Sequence, residues 1–323
     1  MEEQSYDVVV VGGGAAGLSA ALVLGRALRR VAVIDAGEPR NAPAAHVQGF
    51  LSRDGIPPAD LFAAARAEVV EYGVEVISDR VVEITDDFTL SLAGGRAVTA
   101  RRLLLATGAV DQLPEIPGAR ERWGRDLLHC PYCHGWEVRD QPIGVINTGP
   151  GSVDYAHLLG QWSEDVMFFT HTFPVTAVER ETLQARGIQV VDGRIAELSV
   201  VNDRLDAVQL TDGGSIPRAA LFIRPALKAR DDSLIRSLGF EVDEGGIVKV
   251  DATGRTTVSG VWAAGNASNP RAQVITAAGE GSAAAIDINN DLVEEEVREA
   301  RQSLTASERP ATTPTSQLER TSQ

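Results

Sequence analysis

The chain has 323 residues, 44% of them hydrophobic, which is enough for two domains that each build a core. Its formal net charge of −15 at pH 7 argues against a nucleic-acid or anionic-membrane partner, because both need a positive protein surface. The N-terminus lacks a signal-peptide pattern and no stretch reaches the ~18 apolar residues of a membrane span, so we expect a cytoplasmic protein.

The chain opens with the pattern of a βαβ unit. Residues 7–11 are a β-branched run that predicts a buried parallel strand, and residues 18–28 predict an apolar helix. A second strand, 31–34, ends at Asp35, which stands 18 residues past Gly17. We expect the Asp35 carboxylate to accept hydrogen bonds from the ribose hydroxyls of a dinucleotide.

The turn between that strand and helix reads Gly12-x-Gly14-x-x-Gly17. Gly12 permits the tight turn, Gly14 lets the backbone approach a pyrophosphate, and Gly17 lets helix and strand pack closely. Ala15 and Ala16 lie at the start of the helix, where amide groups attract phosphate. The alternative is a structural turn without a ligand, but the strands, helix and acid in register favour a dinucleotide site.

The later elements repeat part of this pattern. They are predicted as a loop at 41–58, a helix at 59–72, strands at 74–77, 81–85, 88–92 and 103–105, a linker at 114–118, a strand at 143–146, a helix ending at 162, a strand at 166–170, strands with glycine turns at 245–251 and 260–265, and an Ala-rich helix at 272–292 interrupted by two glycines. Two related units therefore follow one another. Beyond 296 the chain is charged and then rich in Ser, Thr and Gln, which predicts a disordered tail at 296–323.

The chain contains only two cysteines, Cys130 and Cys133. A bridge across so short a loop adds little stability, so redox chemistry explains the pair better than structure does. Cys-x-x-Cys spacing lets two thiols form and open a disulfide reversibly. Two alternatives stay open. One is a pair of plain buried thiols, and the other is a zinc site, which would have to recruit His129 or a distant carboxylate.

Further segments resemble a known family. They are Ala106-Thr107-Gly108, the run from Gly260 to Asn266, and residues 272–279 at the start of the last helix. With the first glycine turn, these segments are similar to the two-domain flavoproteins related to low-molecular-weight thioredoxin reductase. The resemblance implies an FAD cofactor. We expect no metal, because the chain has no second Cys pair to complete a zinc site. It implies that FAD also meets Ala106, Thr107, Gly108, Gly265, Asn266, Gln273 and Val274. The family usually has Asp at position 266, and Asn keeps hydrogen-bonding capacity but removes a charge.

The resemblance also implies the domain organisation. We expect an α/β fold of two Rossmann-like dinucleotide-binding domains, each a three-layer ββα unit, with a discontinuous FAD domain. The FAD domain would comprise 1–117 and 241–295. Residues 118–240 would form a nicotinamide-domain-like insert that carries the cysteines, and relatives are commonly homodimers.

The position of the cysteines fits this family, since the redox pair of thioredoxin reductases precedes the second glycine turn. The family implies that Cys130 faces the substrate and Cys133 the flavin. An acid usually follows the second cysteine, but here it is His134, whose ordinary pKa of about 6.5 suits acid/base work near neutrality. Cys-Pro-Tyr-Cys-His-Gly is similar to the flavin dithiol oxidases that close disulfides in natural products such as gliotoxin and holomycin.

The second glycine turn departs from the family. It reads Asn147-x-Gly149-x-x-Ser152, without the first glycine. Residues 169–173 hold neither an acid for the NAD ribose nor the Arg pair that thioredoxin reductases use for the 2′-phosphate of NADPH. We therefore doubt that NADP(H) binds.

Together these features favour a dithiol oxidase that forms a disulfide in a small-molecule dithiol and passes electrons through FAD to oxygen. One alternative runs electrons the other way, from NAD(P)H or another donor to a thioredoxin-like protein. A second alternative is a non-catalytic flavin redox sensor.

Overall fold

The computed structural model of the protein describes residues 4–230, 234 and 237–307. Its strands in chain order are β1 (Gln4–Val11), β2 (Val31–Ile34), β3 (Glu75–Ile77), β4 (Val81–Ile84), β5 (Thr89–Leu92), β6 (Ala97–Leu105), β7 (Ala109–Gln112), β8 (Leu127–Leu128), β9 (Ile143–Ile146), β10 (Val166–Phe169), β11 (Gln189–Val191), β12 (Ile195–Val201), β13 (Arg204–Leu210), β14 (Ser215–Pro217), β15 (Ala220–Phe222), β16 (Ala226–Ala229) and β17 (Val261–Ala263). The α-helices are α1 (Ala15–Arg26), α2 (Pro58–Glu71), α3 (Ala119–Arg122), α4 (Pro131–His134), α5 (Ser152–Leu159), α6 (Ala177–Ala185) and α7 (Val274–Ser307).

The first sheet has the strand order β3-β2-β1-β6-β5-β4, and β17 also pairs with β6. Strands β1, β2, β3, β6 and β17 pair in parallel, whereas β5 pairs antiparallel with both β6 and β4. The Val and Leu runs of β1 and β6 are buried, as expected of central strands covered on both faces. Because β17 returns from the far end of the chain, the first unit is discontinuous.

The second sheet has the order β11-β10-β9-β15-β8 and is parallel throughout. An antiparallel three-stranded sheet, β12-β13-β14, is formed by the segment between β11 and β15 and was not predicted. A two-stranded ribbon of β7 and β16 connects the two parallel sheets. The predicted α/β fold with two Rossmann-like units is confirmed, and the exact domain limits stay a prediction.

Helix α7 packs against α1 over the first sheet. A Cβ at Gly281 would lie 2.0 Å from the carbonyl oxygen of Ala16, so only glycine allows the two helices to approach this closely. Ala284, Ala285 and Ile288 are buried in the same contact. Tight packing therefore outweighs the low helix propensity of glycine, and the predicted interruption of this helix is wrong.

The predicted disorder of 296–323 is wrong for residues 296–307, which belong to α7. Ion pairs hold this part of the helix to the first unit, with Arg29 Nη1 2.5 Å from Glu296 Oε1 and Arg101 Nη2 2.8 Å from Glu295 Oε2. The remainder of the predicted tail, 308–323, lies outside the described residues. No described helix is long and apolar enough to cross a membrane.

The strand predicted at 245–251 is instead a turn. The Asp243 carboxylate accepts hydrogen bonds from the amides of Gly245 and Ile247, both at 2.9 Å. A short acidic side chain that bonds nearby amides competes with a strand ladder for the same donors.

Candidate active site

A cavity of about 1190 Å³ opens at the carboxyl ends of strands from both parallel sheets. Ligands of open α/β sheets bind at this edge. The predicted site residues that line it are Gly12, Gly14, Ala15, Ala16, Asp35, Ala106, Thr107, Gly108, Cys130, Cys133, His134, Gly265, Asn266, Gln273 and Val274. Gly17 is not part of the lining. A Cβ on it would lie 1.9 Å from the carbonyl oxygen of Gly12, so its part is to let α1 pack against the turn.

The first glycine turn is shaped to receive a ligand. Gly12 has a φ of +112°, and a Cβ there would lie 2.2 Å from the carbonyl oxygen of Ala106. A Cβ built on Gly14, by contrast, meets no atom of the described residues within 4 Å. The turn therefore leaves open space beside the N-terminus of α1, which is the arrangement that accepts a pyrophosphate.

Asp35 is held in its charged form at the end of β2. Burial raises the pKa of its carboxyl, but hydrogen bonds from Arg66 and from the amides of Gly37 and Gly13 outweigh that effect, so the pKa is lowered. Arg66 Nη2 lies 2.8 Å from Asp35 Oδ2. The sequence pattern did not single out Arg66, because it comes from a different helix, α2.

Two buried polar atoms of the cavity wall fit a cofactor. Thr107 Oγ1 and Asn41 Nδ2 have no hydrogen-bond partner within the part of the chain that the structure describes. Such atoms are costly unless water or a ligand satisfies them. With the open turn and the charged Asp35, they match a dinucleotide. Asn41 lies in a predicted loop and carries no motif that would have revealed it.

The two cysteines form a disulfide that faces the cavity. Their Cα atoms are 5.2 Å apart, and helix α4 starts directly after Cys130 with Pro131 at its first position. The amides of Cys133 and His134 both donate to the carbonyl oxygen of Cys130, each at 3.1 Å. In this oxidised state the sulfurs are bonded to each other and do not form a thiolate metal site, and the described residues hold no group of three metal-ligating side chains.

The two histidines beside the disulfide are neutral at pH 7. Burial and the positive charge of Arg40 together lower the pKa of His129 to about 4, although Asp111 acts in the opposite direction. Burial also lowers the pKa of His134, which Glu137 raises only in part. A neutral imidazole has a ring nitrogen that can accept a proton.

Arg40 joins three parts of the cavity wall. It forms a bidentate pair with Asp111 on the connecting ribbon, at 2.6 and 2.8 Å, and its Nη1 donates to Asn266 Oδ1 at 3.1 Å. Its Nη2 lies 3.4 Å from His129 Nε2. Sequence reasoning missed Arg40 and Asp111, because only the fold brings residues 40, 111, 129 and 266 together.

The second turn is filled by its own side chains. Asn147 Oδ1 accepts from the amide of Gly149 at 3.1 Å, and Ser152 Oγ accepts from the amide of Thr148 at 3.2 Å. A Cβ at Gly151 would lie 1.8 Å from Arg224 Nη1, so the Arg224 guanidinium covers the start of α5. The amides of Thr148 and Gly149 are therefore already satisfied within the protein.

Comparison with known proteins agrees with this geometry. The family described as pyridine nucleotide-disulphide oxidoreductase matches residues 6–281. The chain belongs to this family. Thioredoxin reductase tcpT of Claviceps purpurea is 32% identical over 80% of this chain and 86% of its own length. Thioredoxin reductase sirT of Leptosphaeria maculans is 29% identical over 88% of this chain and 93% of its own length.

Solved structures of relatives share the fold. The crystal structure of HlmI is 49% identical in sequence, with a TM-score of 0.90 over 94% of this chain and 97% of that one. An oxidoreductase from Agrobacterium tumefaciens is 39% identical, with a TM-score of 0.85 over 90% of this chain and 99% of that one. The predicted family is confirmed. The protein is an FAD-dependent oxidoreductase that acts on sulfur groups through a Cys-x-x-Cys pair.

Proposed function

We propose that the protein is a dithiol oxidase that forms a disulfide in a small-molecule dithiol and passes the electrons to oxygen. One observation carries this proposal. The Cys130–Cys133 disulfide shares its cavity with a first glycine turn that leaves open space beside Gly14, whereas Asn147 and Ser152 bond two amides of the second turn. Electrons can therefore enter through the sulfurs, whereas the second turn is poorly suited to bind a nicotinamide donor.

The chemistry proceeds by thiol–disulfide exchange. A substrate thiolate attacks Cys130 Sγ, the Cys130–Cys133 bond breaks, and Cys133 leaves as a thiolate. The second substrate thiolate then attacks the mixed disulfide, which releases the substrate as a disulfide and leaves both cysteines reduced. Neutral His134 accepts a proton from a substrate thiol. Bound FAD supplies the two-electron acceptor that restores the cysteine disulfide, with oxygen reduced to hydrogen peroxide.

The residues that would hold FAD surround the first turn. The pyrophosphate would meet Gly12, Gly14 and the amides of Ala15 and Ala16 at the start of α1, while Asp35 accepts from the adenosine ribose. The remaining FAD contacts would come from Ala106, Thr107, Gly108, Gly265, Asn266 and the amides of Gln273 and Val274.

Flavin absorbance distinguishes the proposed direction of electron flow. A panel of small dithiols should bleach the flavin without air, and in air should give one peroxide per disulfide formed. NADPH should bleach it slowly or not at all. Fast anaerobic bleaching by NADPH, with no turnover of any dithiol, would instead support a reductase, the activity for which the tcpT and sirT relatives are named.

We also propose that the protein forms a homodimer in the cytoplasm. Four aliphatic side chains on α7 are 43 to 64% exposed, namely Ile286, Val293, Val297 and Leu304. At about 100° per residue they fall within an arc of about 40° on the face opposite the packed Ile288. The sequence of 308–323 is polar, whereas an antiparallel second copy of α7 presents the same apolar stripe, with Ile286 opposite Leu304 and Val293 opposite Val297. Val297→Arg should lower the mass measured by light scattering to that of a monomer, and an unchanged dimer would reject this surface.

A further inference from the structure

We propose that Gln273 is a catalytic residue whose side-chain amide donates hydrogen bonds to the redox sulfurs and stabilises the thiolate that forms when the disulfide opens. This role rests on thiol–disulfide exchange by the pair and not on the direction in which electrons flow. It is distinct from a contact of the Gln273 backbone with FAD.

The geometry places one amide group between two sulfurs. Gln273 Nε2 lies 3.8 Å from Cys130 Sγ and 3.9 Å from Cys133 Sγ, within reach of N–H···S hydrogen bonds. A carboxamide nitrogen carries two hydrogens, so one side chain serves both sulfurs at once. Gln273 also directly precedes α7, and its carbonyl accepts from the amide of Ala277 at 2.8 Å, so the first turn of that helix fixes its backbone.

The charged and titratable groups around the disulfide leave this task to a neutral donor. His129 and His134 have lowered pKa values and carry no charge at pH 7. The guanidinium of Arg40 forms an ion pair with the carboxylate of Asp111. Glu137 is negative and would oppose a thiolate. In the part of the chain that the structure describes, the uncharged amide of Gln273 contacts both sulfurs and forms no ion pair.

Asn266 holds Gln273 in place and is a positioning residue. Its Nδ2 donates to the carbonyl oxygens of Asn269 and Ala272, both at 3.0 Å, which staples the loop that ends at Gln273. Its Oδ1 accepts from Arg40. Aspartate, the usual residue of the family at this position, has no N–H and would face both carbonyls with a negative oxygen.

The electron balance of the step is simple. When a thiolate attacks Cys130 Sγ, a new S–S bond forms, the Cys130–Cys133 bond breaks, and its electron pair stays on Cys133 Sγ. That sulfur becomes negative and accepts from Gln273 Nε2–H. No proton needs to move for this stabilisation, so the effect should appear in the thiol pKa and in the disulfide potential as well as in turnover.

The test compares Gln273→Met with the wild-type holoenzyme. Both are fully reduced without air, and the thiol pKa is read from the pH dependence of iodoacetamide alkylation. Losing a hydrogen bond to a charged sulfur should raise the pKa by about one unit. Equilibration with dithiothreitol buffers should show the disulfide about tenfold harder to reduce, which corresponds to a potential lower by about 30 mV.

Gln48→Met is the matched control, since the Gln48 amide donates to Glu137 at 3.0 Å instead of to sulfur. Both readings should stay at wild-type values in that variant. Asn266→Asp should move them in the same direction as Gln273→Met but by less, and it keeps the test available if Gln273→Met loses its flavin. Unchanged thiol pKa and potential in a flavin-loaded Gln273→Met would overturn the role. Shifted values without turnover of any dithiol would reject only the oxidase.

Discussion

The two glycine turns of this protein share one construction and differ in what their amides do. Each follows a buried parallel strand and leads into a helix, α1 after the first turn and α5 after the second. At the first turn the space beside Gly14 is open. At the second, Asn147 and Ser152 bond the amides of Gly149 and Thr148.

Side chains within a glycine turn determine whether the turn can bind a ligand. Backbone amides at a buried turn must be satisfied by some partner. A turn made of glycines has no side chains to accept hydrogen bonds from its amides, so a ligand can accept them. Short polar side chains in the turn accept these hydrogen bonds themselves. The second turn therefore keeps its structure without a dinucleotide, and the fold persists where the binding site has closed.

The largest effect should come from filling the tight packing of the first turn. Gly17→Val places side-chain atoms where a Cβ alone would be 1.9 Å from the Gly12 carbonyl oxygen, so strand and helix must separate. We expect little folded protein and no bound flavin, measured by circular dichroism and by absorbance. Ser152→Ala, at the equivalent place in the second turn, should cost only about 1 to 2 kcal/mol and keep the flavin. Equal losses of folded protein and bound flavin in the two variants would contradict the proposed difference between the two turns.

A smaller and more selective effect should follow from filling the open space at Gly14. Its φ of −82° suits any residue and no described atom is near, so Gly14→Val should fold with an unchanged melting temperature of the apoprotein. The valine would occupy the proposed pyrophosphate position, and FAD affinity should fall about 100-fold, or about 2.7 kcal/mol. Titration of apoprotein with FAD measures this, and unaltered affinity would remove Gly14 from the site.

The redox loop, which directly follows β8, should be more sensitive to acid than the first glycine turn. The pKa of His129 is about 4 in the folded protein, against about 6.5 when unfolded, so the unfolded state binds the extra proton first. The resulting stability is present above pH 6.5 and is lost as the pH falls towards 4, by about 3 kcal/mol. Urea unfolding should show this slope, and His129→Gln should flatten it. A slope unaffected by that substitution would place the acid sensitivity elsewhere.

The smallest effect should come from restoring a glycine to the second turn. Asn147→Gly recovers the first glycine of the dinucleotide pattern, but Arg224 still covers Gly151, and residues 169–173 still hold neither an acid for the ribose nor an Arg pair for its phosphate. Anaerobic reduction of the flavin by NADPH should stay as slow as in wild type. Rapid bleaching in this variant would mean that neither Ser152 nor Arg224 is needed to close the site.

Much of the chemistry was predictable because it depends on short spacings. The Cys130–Cys133 pair and the first glycine turn each lie within a few residues of sequence, where spacing determines geometry. The length of α7 was not predictable, since ion pairs of Glu295 and Glu296 with distant arginines hold its second half. The three-stranded sheet β12-β13-β14, which lies between β11 and β15 in the chain, was also not predicted.

The redox pair, the open first turn and the degraded second turn can all be read from the sequence, because local residue type controls whether a backbone amide stays available. The groups that surround the sulfurs depend on the tertiary structure. Gln273 lies more than 100 residues from the cysteines in the chain, yet its amide reaches both. Arg40, Asp111 and Asn266 likewise meet only after folding. Their contacts arise from the carboxyl ends of two sheets converging on one cavity, and no local spacing encodes that convergence.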